Sequence, residues 1–188
     1  SYLGPYGNTW LDTPAWNRLA ARSILAENAL VDSPDLEKLY GSYWQGRHAF
    51  AANQTENIPF LAGHLSDQSV DTWLVTDDPT VAVHDGSAEF DNRVVLPSTS
   101  TPAVASEALE DTQLARVFAA AIDALSQAQP PFLIWVHTQA MGGLWDAPYE
   151  MRRQFAEEGD PDPPTLVTPP ECPLTQDFDP PALLVYVP

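Results

Sequence analysis

A helix followed directly by an apolar strand is the feature that most limits what this chain can fold into. In residues 111–129, apolar side chains recur at spacings of three and four, and Asp111 or Thr112 supplies an N-cap, which predicts an amphipathic helix. Residues 130–139 (PPFLIWVHTQ) are then almost continuously apolar, which is typical of a strand buried at the centre of a parallel sheet. Because parallel strands need a helical crossover, the pair predicts an α/β fold.

A second helix and strand pair precedes it. Residues 57–69 predict a helix capped by Asn57, and residues 70–78 predict a strand that ends in two acids. Residues 92–97 (NRVVLP) predict a short strand inside an otherwise irregular insertion at about 79–110. We therefore expect a mostly parallel sheet with helices on both faces.

The first part of the chain is less regular. Residues 13–22 predict a short helix, and residues 23–31 (SILAENALV) predict a short buried strand because they are apolar with one polar break. The helix that follows ends near Trp44, and Asp32 or Ser33 is expected to cap it.

The C-terminal part is rich in proline. Residues 148–159 predict a last helix, whereas residues 160–188 predict an extended tail with little regular structure. Residues 1–159 are therefore expected to form one partial α/β domain.

Composition excludes several classes of partner. The chain has 8 basic and 26 acidic residues, which gives a net charge of −18. Such a chain repels phosphate backbones and anionic lipids, so neither a nucleic acid nor a membrane surface is expected as a partner. No apolar stretch reaches the roughly 18 residues of a membrane span. The single cysteine, Cys172, excludes an internal disulfide and a thiolate zinc cluster.

Three stretches resemble the N-terminal domain of sulfatases. Residues 2–20 (YLGPYGNTWLDTPAWNRLA) resemble the family's LGCYGN turn and TPNLDRLA helix, and residues 61–78 (LAGHLSDQSVDTWLVTDD) resemble its LAELLRDAGYRTALVG unit. Residues 131–155 resemble its PFFLWLH strand and the PYDPP loop that follows. The resemblance covers about residues 1–155 in the family's order. It implies an alkaline-phosphatase-like α/β fold, represented here by part of a domain.

The resemblance also implies where metal ligands belong. In that family, paired aspartates on a strand just upstream of Ser1 bind a divalent cation such as calcium, and further ligands follow the region where this chain stops. We therefore expect no cofactor within these 188 residues, and calcium only together with the flanking segments. If the fragment stands alone, uncovered sheet edges and helix faces predict a partner chain or self-association.

The family's catalytic motif is altered in this chain. Sulfatases use C-x-P-S-R or S-x-P-S-R, whose first residue is converted to formylglycine. Aligned on Pro34, this chain has Asp32 at the nucleophile position and Leu36 at the arginine position. The family's sulfate-binding G-K-W-H corresponds to residues 76–79 (TDDP), and its substrate histidine corresponds to Gly142. An aspartate cannot become formylglycine and a leucine cannot stabilise a sulfate charge, so a conventional sulfatase is disfavoured.

Other candidate residues lie at strand ends or in the loops beyond them. His137 ends a strand at the edge where open parallel sheets bind ligands, so it is a candidate catalytic residue, with a structural hydrogen-bonded role as the alternative. Asp77 and Asp78 are candidate cation ligands if a third ligand joins them, and otherwise a solvated loop. Trp145 and Tyr149 are candidates for stacking on a sugar, or for packing a loop against the sheet.

Two functions follow from these patterns. The first is a sulfatase-like protein that has lost sulfohydrolase activity and is a non-catalytic binding or structural module for a small anionic or sugar ligand. The alternative is an active metal-dependent sulfate or phosphate ester hydrolase that uses Asp32 as its nucleophile, with metal ligands outside this segment. The resemblance allows a periplasmic or secreted protein, and the sequence also leaves a cytoplasmic location open.

Overall fold

Six helices and three strands are formed by the residues that the structure describes. The structure, a computed structural model, describes residues 3–48, 50, 58–97, 105–139, 145–165 and 167. The helices are α1 (Pro14–Ala20), α2 (Leu36–Gln45), α3 (Leu61–Ser66), α4 (Pro79–Val83), α5 (Gln113–Gln127) and α6 (Tyr149–Arg153). The strands are β1 (Asp71–Thr76), β2 (Asn92–Val95) and β3 (Phe132–His137). The chain divides into two units, Ser1–Thr55 and Glu56–Pro188.

The second unit contains a parallel sheet with the strand order β2-β1-β3. Thr76 of β1 is in register with Val95 of β2 and with His137 of β3, so the three strands end at the same level. Helices α3, α4 and α5 all contact β1. The molecule is thus an α/β protein with a parallel sheet, which confirms the predicted fold class.

Helix α5 follows the sequence pattern closely. Thr112 is its N-cap, because its Oγ1 accepts a hydrogen bond from the Ala115 amide at 3.2 Å. Val117 and Ala124 are buried and pack in one cluster with Val75 of β1. This contact holds α5 against the sheet.

Both faces of β1 are covered. Consecutive strand residues point to opposite faces, and the neighbours Leu74 and Val75 are both fully buried. Val75 packs against α5, so Leu74 is buried on the face opposite α5. The helices therefore cover both faces of this strand, as the sequence predicts.

The position of β3 differs from the prediction. Its apolar run predicts a central strand buried on both faces, but β1 is central and β3 lies at the edge of the described sheet. Phe132 and Val136 are 42% and 39% exposed. The prediction is wrong because β2, from the segment expected to be irregular, takes the other side of β1. An apolar run reports burial in general and not strand order.

Residues 23–31 do not form the predicted strand. Ile24 and Leu30 are each 98% exposed, and the described residues of the first unit contain no strand. A strand needs a hydrogen-bonded neighbouring strand, and the described residues of this unit supply none. The core of the first unit instead includes Tyr40 and Trp44 of α2, whose rings lie 4.5 Å apart between centroids in an edge-to-face arrangement.

Helix α2 begins later than its sequence predicts. Asp35 is the N-cap, and its Oδ1 accepts a hydrogen bond from the Glu37 amide at 3.1 Å. The Ser33 hydroxyl accepts from the Asp35 amide at 3.1 Å and thereby shapes the turn before the helix. The prediction that Asp32 or Ser33 caps α2 is therefore wrong, because the extended backbone at Asp35 leaves the next residue to start the helix.

The remaining helices are shorter than predicted. Helix α3 begins at Leu61, and the predicted cap Asn57 lies outside the described residues. Helix α6 ends at Arg153 rather than at residue 159. Most of the tail 160–188, including its cysteine, lies outside the described residues. In the described part of the chain, no helix has the length and apolarity needed to cross a bilayer.

Candidate functional site

Buried polar side chains gather where the three strands end. We name this region the carboxyl edge and define it as residues 76–78, 112–113, 137–139 and 146. Its side chains with less than a tenth of their surface exposed are Thr76, Asp77, Asp78, Thr112, Gln113 and Asp146. The carboxyl ends of parallel strands are where α/β proteins bind ligands, so this is the candidate site.

Asp77 connects three elements of the carboxyl edge. Its Oδ1 accepts a hydrogen bond from the Gln139 amide at 2.9 Å, just beyond β3. Its Oδ2 accepts from Gln113 Nε2 at 3.0 Å, at the start of α5, and from Thr138 Oγ1 at 3.3 Å. Asp77 is 3% exposed, so these bonds replace the water that a buried polar group loses. Asp77 therefore ties the end of β1 to β3 and α5.

Asp78 caps α4 and pairs with a histidine. Its Oδ1 accepts a hydrogen bond from the Thr80 amide at 2.7 Å, and its Oδ2 lies 3.2 Å from His137 Nε2. Burial by itself raises the pKa of Asp78, but hydrogen bonds from Thr80, Gln139 and His137 outweigh it and hold the pKa below its ordinary value. Asp78 is consequently ionised at neutral pH.

Both aspartates depart from the expected solvated loop. Asp77 and Asp78 are only 3% and 2% exposed, so that interpretation of the two residues is wrong. The reason lies outside the local sequence, because residues after β3 and at the start of α5 enclose them. His137 does lie at the carboxyl edge, where its side chain is 20% exposed.

Asp146 joins the site from the loop before α6. Its Oδ2 accepts a hydrogen bond from the Gln113 amide at 2.6 Å, at the N-terminus of α5, where a negative charge is stabilised by the helix dipole. Arg152 fixes this loop by donating to the carbonyl oxygens of Ala147, Pro164 and Trp145. Burial lowers the pKa of Arg152, and the nearby Asp146 charge partly offsets that effect.

Sequence reasoning missed Gln113 and gave Asp146 no role. A glutamine in the first turn of a helix is normally solvated, so nothing in the local pattern indicates that Gln113 is buried. It is 33 residues away from Asp146 and 36 from Asp77 along the chain. Only the packed sheet brings these three side chains together.

Asp32 lies in the first unit, in a separate cluster. Ser42 Oγ donates a hydrogen bond to its Oδ2 at 2.6 Å, and His48 Nδ1 lies 3.9 Å from the same oxygen. In a Ser-His-Asp triad the histidine stands between the other two residues and removes the serine proton. Here the carboxylate stands between Ser42 and His48, so the three residues do not form such a triad.

The described residues of the carboxyl edge do not by themselves form a metal site. Calcium takes about six to eight oxygen ligands in proteins. Within the described ranges, no three His, Cys, Asp or Glu residues are arranged to hold a metal ion. The Asp77 oxygens instead accept hydrogen bonds from amide and hydroxyl donors. The family position at Gly142 lies outside the described residues.

No family model, curated protein or solved structure matches this chain. The class that its geometry defines is an α/β protein with a parallel sheet and a buried polar carboxyl edge. The relation to sulfatases rests on the motifs of residues 2–20, 61–78 and 131–155 and stays a prediction.

Proposed function

We propose that this chain is a sulfatase-like module without sulfohydrolase activity that binds a ligand or supports a larger assembly. The observation that carries this proposal is the set of three buried carboxylates at the carboxyl edge: Asp77, Asp78 and Asp146. Sulfatases place cationic groups around their substrate, and residues 76–79 of this chain correspond to one such motif. Two like charges 4 Å apart repel by about 4 kcal/mol at an effective dielectric constant of about 20. A sulfate monoester is therefore disfavoured here.

The hydrogen bonding supports the same conclusion. A catalytic carboxylate must exchange protons with a substrate or contact it directly. Asp77 accepts from three neighbouring donors, and Asp78 caps α4 while it pairs with His137. Both groups hold elements of the fold together, which favours a structural role over a catalytic one.

Charge also discriminates between the two ligand classes that the sequence predicts. An anionic ligand meets the repulsion described above, whereas a neutral sugar does not. Trp145 and Tyr149, both partly exposed, are the aromatic residues that would stack on it. Saturation-transfer NMR with a neutral oligosaccharide and its sulfated form tests this choice, and we expect signal from the neutral form alone. Transfer to the sulfated form alone would contradict it.

Turnover assays test the loss of activity. We expect the full chain to hydrolyse neither an aryl sulfate nor an aryl phosphate above the uncatalysed rate, with or without added calcium, magnesium or manganese. Asp32→Asn is the matched variant, because it keeps the shape of the side chain and removes its nucleophilic charge. A metal-dependent rate that Asp32→Asn abolishes would overturn the proposal.

The alternative, an ester hydrolase that uses Asp32, is favoured by one observation. Asp32, Ser42 and His48 meet in one cluster, and the Asp32 side chain is 14% exposed. Against it, Asp32 already accepts a 2.6 Å hydrogen bond from the Ser42 hydroxyl, which lowers the nucleophilicity of the carboxylate. The same assay separates the two functions, since only the alternative predicts a rate that depends on Asp32.

A further inference from the structure

His48 has two partners within reach of one ring nitrogen. The Phe50 amide donates a hydrogen bond to His48 Nδ1 at 3.2 Å. The same Nδ1 lies 3.9 Å from Asp32 Oδ2. The ring is 5.2 Å from the Phe50 ring, centroid to centroid, and the two planes differ by 25°. The His48 side chain is 58% exposed, so it is accessible to protons from solvent.

The two contacts require opposite protonation states. To accept from the Phe50 amide, Nδ1 must carry a lone pair, whereas to bind the Asp32 carboxylate it must carry a proton. Imidazole side chains change between these states within the physiological pH range. At high pH the carboxylate faces a lone pair and is repelled, and at low pH the Phe50 N–H faces another N–H. Each protonation state therefore satisfies one partner and repels the other.

We propose that protonation of His48 transfers its Nδ1 from the Phe50 amide to the Asp32 carboxylate. At high pH the His48 ring is then bound to the Phe50 amide in the turn after α2. At low pH it is bound to Asp32, the residue at the family's nucleophile position. This pH-dependent contact is independent of the proposed function, because it requires neither catalysis nor a ligand.

The neighbouring groups permit the exchange. Asp32 Oδ2 already accepts from Ser42, but a carboxylate oxygen can accept two hydrogen bonds. Lys38 of α2 lies 3.5 Å from Asp35, where it forms its own ion pair. Arg47, the residue before His48, is the other charged group of this turn. Among the described residues, Asp32 is the carboxylate within 4 Å of the His48 ring.

Amide NMR of the full chain between pH 8 and pH 5 tests the transfer. We expect the Phe50 amide proton to shift upfield as its hydrogen bond is lost, with the same midpoint as the His48 ring protons. Long-range nitrogen spectra of the His48 ring in the unaltered protein should show an accepting Nδ1 at pH 8 and a protonated one at pH 5. An unchanged Phe50 resonance, or an Nδ1 that stays protonated throughout, would refute the proposal.

Two variants separate the partners. His48→Asn supplies an oxygen that can accept the Phe50 amide but does not titrate, so we expect a Phe50 resonance that no longer depends on pH. Asp32→Asn removes the carboxylate that binds the protonated ring, so we expect the Ser42 resonances, which move with the His48 transition in the unaltered protein, to lose that pH dependence. If Phe50 titrates equally in His48→Asn, or the Ser42 resonances change equally with pH in Asp32→Asn, the proposal is wrong. The spectra themselves report whether each variant is folded.

Discussion

The two edges of the sheet both depend on aspartate but use it differently. At the edge where β1 and β2 begin, which we name the amino edge, Asp91 accepts from Ser66 Oγ at 2.7 Å and from the amide and hydroxyl of Thr72. Asp71 accepts from Asn92 Nδ2 and from the Gln129 amide, both at 2.9 Å. Asp91 is exposed and Asp71 is half-buried. These carboxylates join β1 to α3, to β2 and to the residues before β3 while they remain partly hydrated.

At the carboxyl edge, Asp77, Asp78 and Asp146 are each less than a tenth exposed. Their hydrogen bonds come from elements far apart in the chain, including α5 and the residues after β3. A buried carboxylate has no water to replace a lost donor, so its partners become essential. The comparison teaches that aspartates join elements distant in the sequence at both edges, and that those at the carboxyl edge do so while buried.

The largest expected difference follows from removing one carboxylate at each edge. Asp77→Ala removes the acceptor of the Gln139 amide and the closer acceptor of the buried Gln113 Nε2, and we expect a loss of about 3 kcal/mol in the free energy of unfolding. Asp91→Ala leaves its donors accessible to water, so we expect a loss of only about 1 kcal/mol in the free energy of unfolding. Urea denaturation of each variant measures both losses, and an unchanged m-value shows that only the stability has changed. Equal losses would remove the distinction between the edges.

A double-mutant cycle tests the next strongest contact. Combining Asp78→Asn with His137→Gln should give a coupling free energy of about 1–2 kcal/mol, because Asp78 is buried and His137 is mostly enclosed. The matched cycle at the amino edge, Asp91→Asn with Ser66→Ala, should give about 0.5 kcal/mol. A larger coupling at the amino edge would contradict the account.

The pH dependence of the stability is the smallest expected effect. Burial works against the charged form of Asp78, but its hydrogen bonds prevail and its pKa lies below the ordinary 3.8. A carboxyl group with a lowered pKa stabilises the fold above the ordinary value and loses that contribution as the pH falls through the folded value. The stability difference between the unaltered chain and Asp78→Asn should therefore shrink when the pH is lowered from 6 to 3.

Asp91 provides the comparison at the amino edge. Hydrogen bonding by the Ser66 hydroxyl lowers its pKa, and the Thr72 amide and hydroxyl contribute further. The difference between the unaltered chain and Asp91→Asn should shrink in the same direction on acidification, by a smaller amount because this group is exposed. A stability difference that grows when the pH is lowered, at either edge, would show that the pKa of that aspartate is not lowered in the folded protein. Urea midpoints at the two pH values provide the measurement.

The sequence predicts those parts of the fold whose signal is local. The spacing of apolar residues in 111–129 identifies α5, and the hydroxyl of Thr112 marks its start. Strand β2 is identified by NRVVLP, but its pairing with β1 requires α4 to reverse the chain, and α4 has only five residues. The edge position of β3 follows from that pairing and is not encoded in its apolar run.

The site was harder to predict than the fold. Two acids after a strand usually face water, and the groups that enclose Asp77 and Asp78 are distant in sequence. For α2, the local sequence predicts Asp32 or Ser33 as the cap, and the backbone geometry places the cap at Asp35 instead. Local patterns locate helices and strands, whereas polar networks depend on how those elements pack.

The sign of the stability change in Asp77→Asn tests the central claim most directly. Its carboxylate accepts from three donors, so an amide NH₂ would face at least one of them and lose a buried bond. A carboxylate kept for catalysis or ion binding is instead repelled by neighbouring carboxylates. Replacing it with a neutral amide removes that repulsion and stabilises the fold. We predict that Asp77→Asn lowers the free energy of unfolding. A more stable variant would contradict the claim that the aspartates of the carboxyl edge hold the elements of the fold together.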